Sequence, residues 1–189
     1  MITMKRFIIL LVAAIGLVAC ETNLEENEPF ADEIATFDIA TLDPVELTAA
    51  LTASFVEEIG GNVHDKTCGW YPLRERLGRA IGHYIFYGDG RCWKCTTMTF
   101  HPPLHGEFDW SYDAKTGTLN LSDNKVRKVL YYKGDRLILE HQSVLAGDGG
   151  ICTYRIEYRL RFGEQIRKEK EEFYKKSSKE WREEQQANN

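Results

Sequence analysis

A mainly β fold, an antiparallel up-and-down meander closing into a barrel, is what this 189-residue chain predicts, and three features predict it. From His64 to Phe162 the sequence breaks into short alternating runs split by Gly and Asp, with no helical run of useful length among them. The breaks are mostly hairpin-sized, which favours sequential antiparallel pairing over parallel strands joined by long crossovers. The last run alternates Cys152, Tyr154, Ile156, Tyr158, Leu160 and Phe162 with Thr153, Arg155, Glu157, Arg159 and Arg161. A strand of that length, about 35 Å at about 3.3 Å per residue, suits a curved sheet better than a small flat one.

Composition sets the outer limits. The chain has 43% apolar residues, 28% charged residues, a net charge of −5 and 22 aromatic side chains, too many for a wholly disordered protein. Residues 7–19 form the one long apolar run, which excludes a multi-pass membrane protein, and the length suits one domain with tails.

The N-terminus reads as an address. Lys5 and Arg6 precede the apolar run, which is too short to span a bilayer comfortably and ends Leu17-Val18-Ala19-Cys20. This order resembles the bacterial lipobox. The resemblance implies a signal peptide over residues 1–19, cleavage before Cys20, and acylation of Cys20 as the membrane anchor. Several acyl chains on one residue exceed the marginal hold of a single chain. The implied location is the bacterial cell envelope, at the outer membrane, on its periplasmic side or at the cell surface.

Residues 21–60 carry eleven acids and no base. Like charges in a flexible segment repel and extend it, so residues 20–42 are expected to be an acidic tether holding the domain off the membrane. Acids soon after a lipidated cysteine also resemble the surface-export signals of Bacteroidetes lipoproteins. Asp43-Pro44 is a helix start, and Leu47, Leu51, Phe55 and Ile59 then recur every four residues up to Gly60-Gly61, predicting one helix over 44–59. Strands are expected at 70–75, 80–87, 91–100, 106–112, 117–121, 126–132, 136–142 and 151–162, so residues 43–162 form the helix-plus-barrel domain. Residues 163–189 hold seven bases and seven acids, with Ile166, Phe173, Tyr174 and Trp181 on one narrow stripe. This is a charged C-terminal helix docked by its aromatics, or free to bind a partner.

The series Tyr84-Ile85-Phe86, Gly88-Asp89-Gly90, Trp110-Ser111-Tyr112-Asp113, Thr116-Gly117-Thr118-Leu119, Leu137-Ile138-Leu139 and Tyr154-Arg155 resembles the lipocalin-like domain of small Bacteroidetes lipoproteins. That resemblance implies an up-and-down barrel with an internal pocket, and no particular ligand.

Four cysteines remain after Cys20: Cys68, Cys92, Cys95 and Cys152. An exported protein folds in an oxidising space, and the even count predicts two disulfides whose pairing is open. On a regular strand Cys92 and Cys95 point to opposite faces and do not bond each other. A redox role for Cys92-Trp93-Lys94-Cys95 is disfavoured, because that chemistry needs a helix N-terminus and a strand-like segment follows. The sharper alternative is zinc on Cys92, Cys95, His101 and His105, two thiolates and two imidazoles that suit a tetrahedral ion. No nucleophile elbow, H-E-x-x-H or phosphate loop is present, so neither an enzyme nor a cofactor is expected. The negative charge and the export address argue against nucleic acid. Trp93, Trp110, Tyr154 and Tyr158 are the candidate lining of a pocket for a small apolar ligand. The expectation is thus a lipid-anchored, non-enzymatic barrel module that binds a small apolar ligand, or an interaction scaffold that docks another envelope protein.

Overall fold

The computed structural model describes residues 28–66, 69–73, 80–98, 101–144 and 150–187. The chain opens with a short helix α1 (Ala31–Thr36), a 3-10 turn (Ile39–Thr41) and helix α2 (Pro44–Ala53). Nine strands follow among the described residues: β1 (Ser54–Asp65), β2 (Gly69–Pro72), β3 (Ala80–Phe86), β4 (Arg91–Met98), β5 (His101–Asp113), β6 (Thr118–Leu121), β7 (Lys125–Lys133), β8 (Arg136–Val144) and β9 (Ile151–Phe162). Helix α3 (Glu164–Ala187) ends the described chain. Every pairing is antiparallel. Strands β3 to β9 pair in sequence order and β1 pairs with both β3 and β9, closing an eight-stranded barrel. Strand β2 lies beside the ring and pairs with Asn62–Asp65 of β1.

The helix expected over 44–59 stops at Ala53. Its start is as expected: Pro44 opens it and the Asp43 carboxylate accepts the Val45 N–H at 2.8 Å. From Ser54 the chain extends into the strand that closes the barrel. Phe55, Val56 and Ile59 are aromatic or β-branched and weak helix formers, and continuing the helix would leave the long edge of β9 unpaired. Gly60-Gly61 is therefore no helix stop. It follows a bulge at Ile59, and a Cβ on Gly61 would lie 2.6 Å from the Arg155 carbonyl oxygen, so the close approach of β1 to β9 requires glycine there.

Two other strand expectations shift. The segment at 70–75 is the accessory strand β2 rather than a barrel stave. Strand β5 starts at His101, not 106, because Pro102 and Pro103 sit in its first turn of pleat, where proline is tolerated, next to an irregularity at Thr96–Met98.

The acidic segment is not a free tether from residue 28 onward. Its acids meet arginines on the outer face of the barrel: Glu28 accepts from Arg155 at 2.6 Å and Glu33 from Arg136 at 2.6 Å. These arginines also bond the barrel's own Glu140 and Glu157. Phe37 packs 5.6 Å from the Tyr131 ring, and Ile39 fits so closely over Gly117 that a Cβ there would fall 2.7 Å from its Cγ1. Repulsion within the segment is thus offset by cations contributed from over 100 residues further along the chain.

The interior holds Leu47, Leu51, Val56, Phe86, Cys92, Leu119, Val129, Leu137, Leu139, Ile156 and Leu160. Leu47, Ala50 and Leu51 place α2 across one end, with Phe37, Ile39 and Leu42 packed alongside. A second layer lies outside the sheet, where α3 covers Phe55, Ile85, Trp93 and Cys95 through Tyr174. The expected stripe docks chiefly through that tyrosine: Ile166 and Phe173 are exposed, and the side chain of Trp181 lies outside the described part. Polar contacts fix the helix as well. Arg167 donates to the Phe86 carbonyl at 2.8 Å and to the Thr52 carbonyl, and Tyr87 donates to Glu171 at 2.6 Å.

Strand β9 bears out its sequence pattern at Ile156, Tyr158 and Leu160, which point inward, and at Arg159 and Arg161, exposed on the outside; Phe162 is exposed instead of buried, and Arg155 is buried on the outer face against Glu28 and Pro29. Ile156→Ala is expected to cost about 2–5 kcal/mol through lost burial and a residual cavity. Arg159→Ala is expected to stay within about 0.5 kcal/mol, since its partner Asp135 is exposed and 3.7 Å away. Urea melts of the two variants check this; equal losses would refute the register.

Candidate ligand-binding site

Toward α2 the barrel is filled. The space among Val56, Tyr84, Phe86, Leu119, Leu121, Leu137 and Leu139 does not admit a water-sized sphere, and Arg127 borders the same filled space. An apolar guest has no room in that part of the interior. Further from α2 the lining changes character, and inward positions of β4, β7, β8 and β9 carry polar groups.

Arg127 of β7 is the centre. Its side chain is 2% exposed. The turn Ser122-Asp123-Asn124, with Asn124 in the left-handed region, returns the chain so that Asp123 lies below Arg127. The guanidinium holds the carboxylate with both ends, Nη1 to Oδ1 at 3.0 Å and Nη2 to Oδ2 at 2.6 Å, and Nη1 also donates to the Lys125 carbonyl at 2.9 Å. Asp123 Oδ1 accepts the Lys125 N–H as well, which locks the turn. The Arg127 Nε–H has no hydrogen-bond partner among the described residues. Burial works to raise the Asp123 carboxyl, but Arg127 and then Lys94 outweigh it and hold it at about 2.

Two lysines join this pair. Lys94 of β4 reaches Asp123 Oδ2 at 3.4 Å, and its Nζ lies 5.7 Å from the centre of the Tyr84 ring and 6.0 Å from that of Phe108. The Arg127 guanidinium lies 5.9 Å from the same Tyr84 ring. Lys125 is half-buried, and burial, with Lys94 and Arg127 nearby, pushes its ammonium below the usual value. His141 of β8 stacks on Tyr154 of β9 at 5.1 Å, nearly parallel. Burial, and then the charges of Lys125, Arg127 and Lys94, push His141 down to about 3, so it is neutral at ordinary pH.

The candidate lining from the sequence separates. Tyr154 lies in this region. Tyr158 is inward but packed edge-on to Tyr84 at 5.7 Å in the core. Trp110 donates its indole N–H to the Tyr87 carbonyl at 2.9 Å and packs on Phe86 at 5.0 Å, at the β3–β4 turn. Trp93 is corrected outright: it faces out of the barrel, beneath Tyr174, because it sits one residue from the inward Cys92 and Lys94.

The cysteine expectations change too. Cys92 lies in the barrel interior and Cys95 under α3, both as free thiols, and no disulfide forms among the described residues. Cys152 is buried in the interior cluster, and Cys68 lies outside the described residues. Burial pushes the Cys92 thiol up, and that of Cys95 up to about 12, so both stay protonated and poorly reactive. The zinc alternative fails on the same alternation, since Cys92 and Cys95 on opposite faces cannot share an ion with His101 and His105. Backbone register sets His105 opposite Cys95 and His101 opposite Met98; the two imidazoles lie outside the described part.

Sequence reasoning missed Lys94, Asp123, Lys125, Arg127 and His141. The available signal was Asp123 four residues before Arg127 at the start of a strand. No family model, no curated protein and no solved structure matches this chain.

Proposed function

We propose that the protein is a lipid-anchored, non-enzymatic barrel of the bacterial cell envelope that holds a small ligand at the end of the barrel away from α2. The observation that carries this reading is the change in lining along the interior: packed side chains from α2 as far as the buried Arg127, then the half-buried Lys125, His141 and Tyr154 beyond it. Small-molecule sites combine apolar walls with a few convergent polar groups in this way. A ligand would rest its apolar part on Tyr154 and Phe108. The purely apolar ligand expected from the aromatics is set aside in favour of one that also carries polar atoms. Mass spectrometry of small molecules retained by the protein purified from its native host tests the reading. A stoichiometric ligand supports it, and its absence in freshly isolated protein counts against it.

The anchor rests on the order of residues 5–20, which lie outside the described residues. Because the chain packs on the barrel from Glu28, only residues 21–27 separate Cys20 from the folded domain, a reach of about 25 Å at most. With that anchor the barrel would sit close to the membrane rather than on a long tether. Cys20→Ser is expected to leave the precursor uncleaved and unacylated, read by electrophoretic mobility and detergent-phase partitioning. Normal processing of that variant would contradict the anchor.

The scaffold reading is favoured by one observation: α3 presents Phe173, 61% exposed, beside Ile166 on its solvent side. Co-purification of a stoichiometric envelope protein that is lost in Phe173→Glu would establish it.

A further inference from the structure

Among the described residues the interior charges do not balance. Lys94, Lys125 and Arg127 converge from two strands, and Asp123 is the one carboxylate among the described residues that bonds any of them. Lys125 has no ion-pair partner among the described residues, and the Arg127 Nε–H is buried without an acceptor. Glu58, also inward and buried, turns one carboxylate oxygen to the Gly82 N–H at 2.7 Å. Stability alone does not call for this arrangement. Buried cations normally come paired, and like charges held together in a half-buried space repel one another. Three cations gathered around one carboxylate, two of them half-buried lysines and the third a buried guanidinium with an unpartnered Nε–H, suit a site completed by a further anion.

We propose that the end of the barrel lined by Lys94, Lys125, Arg127 and His141 binds a small oxyanion, a ligand bearing phosphate or carboxylate groups with up to two negative charges. The inference rests on the ligand-binding reading above and names the chemistry of that ligand. The two lysines are its direct donors. Arg127, already committed to Asp123 through both Nη atoms, supplies a fixed positive field and its free Nε–H. Asp123 holds the guanidinium in place and keeps the empty site from carrying the full repulsion of three cations. The stacked imidazole and phenol of His141 and Tyr154 form a flat wall beside the charge. His141 adds a reporter. Burial first, and then the three cations, hold it neutral; an anion offsets the cations' share and leaves that of burial, so ligand binding is expected to raise its pKa part of the way.

The test uses the full chain in non-ionic detergent. Inorganic phosphate and succinate are titrated by calorimetry, with glucose as the neutral control. One anion per chain is expected to bind, and Lys94→Met and Lys125→Met are each expected to weaken it about tenfold, the worth of one charge-assisted contact. Lys128→Met and Lys133→Met, exposed on β7, are expected to leave it unchanged. Arg127 is not varied in this test, since it also anchors the Asp123 turn. In proton NMR the His141 resonances should titrate at higher pH with phosphate than without. Vesicles of phosphatidylglycerol against phosphatidylcholine separate the sources: binding to the anionic vesicles alone, lost in the same two variants, identifies a lipid headgroup as the oxyanion. Affinity untouched by both lysine variants would overturn the proposal. So would a neutral ligand retained from the host by a protein that binds neither anion, although the ligand-binding reading would then stand. Absence of any ligand overturns both.

Discussion

Asp123→Asn is expected to destabilise the protein by about 3–5 kcal/mol, the cost of breaking a buried ion pair from one side. The variant keeps an oxygen able to accept the Lys125 N–H, so the turn survives, but it removes the only carboxylate charge among the described residues that is bonded to Arg127 and Lys94. What remains is a guanidinium that is 2% exposed, with two ammonium groups nearby. Asp89→Asn makes the comparison. Its ion pair with Arg91, at 2.7 Å, is almost as short but lies in solvent, and breaking it is expected to leave the stability nearly unchanged. Urea melts of the two variants decide the matter. Equal small losses would mean that solvent reaches Arg127 freely.

Acid is expected to weaken the fold well before its carboxylates protonate. His141 is held down to about 3 in the folded protein by burial and by Lys125, Arg127 and Lys94, with Asp123 opposing them and the Tyr154 ring stacked on it. His83, between the rings of Phe55 and Tyr174, is lowered by burial, with Glu57 opposing and Lys170 adding. In the unfolded chain both take up a proton at about pH 6.5. Below that pH the unfolded state binds more protons than the folded one, so stability is full above pH 6.5 and falls as pH drops. His141 contributes a slope approaching about 1.4 kcal/mol per pH unit, and His83 adds to it in the same direction. Asp123, held at about 2, adds its own loss only below the ordinary carboxylate value of 3.8. The window between pH 6.5 and about 4.5 therefore belongs to the histidines. Urea melts across it should show a steep decline in the natural protein, shallower by about one proton in His141→Gln. An unchanged slope in that variant would place His141 in contact with solvent.

Local pattern determined much of this molecule. The alternation along β9 is long enough to fix which face turns into the barrel, because an unpaired arginine in the core costs far more than an isoleucine. The hairpin turns mark most strand ends to within a residue or two, since their residues carry their own backbone preferences. Asp43-Pro44 starts α2 for local reasons as well, and the opposite faces of Cys92 and Cys95 follow from the pleat alone. Tertiary structure decided the rest. Leu47 and Leu51 run into Phe55 and Ile59 at helical spacing, and only the unpaired edge of β9, some hundred residues later, makes Ser54 the start of a strand. The acidic segment from Glu28 has nothing local to pair with; its partners Arg155 and Arg136 come from β9 and β8. The candidate site was hidden in Lys125-Val126-Arg127-Lys128-Val129, where the two valines fall on opposite faces and period two selects neither. Pairing with β8, and a bulge between Val129 and Tyr131, send Val126 out to solvent and Arg127 in. A charge enters the barrel there because the preceding turn delivers Asp123 to meet it, and which way a five-residue segment faces is settled by its neighbours rather than by its own residues.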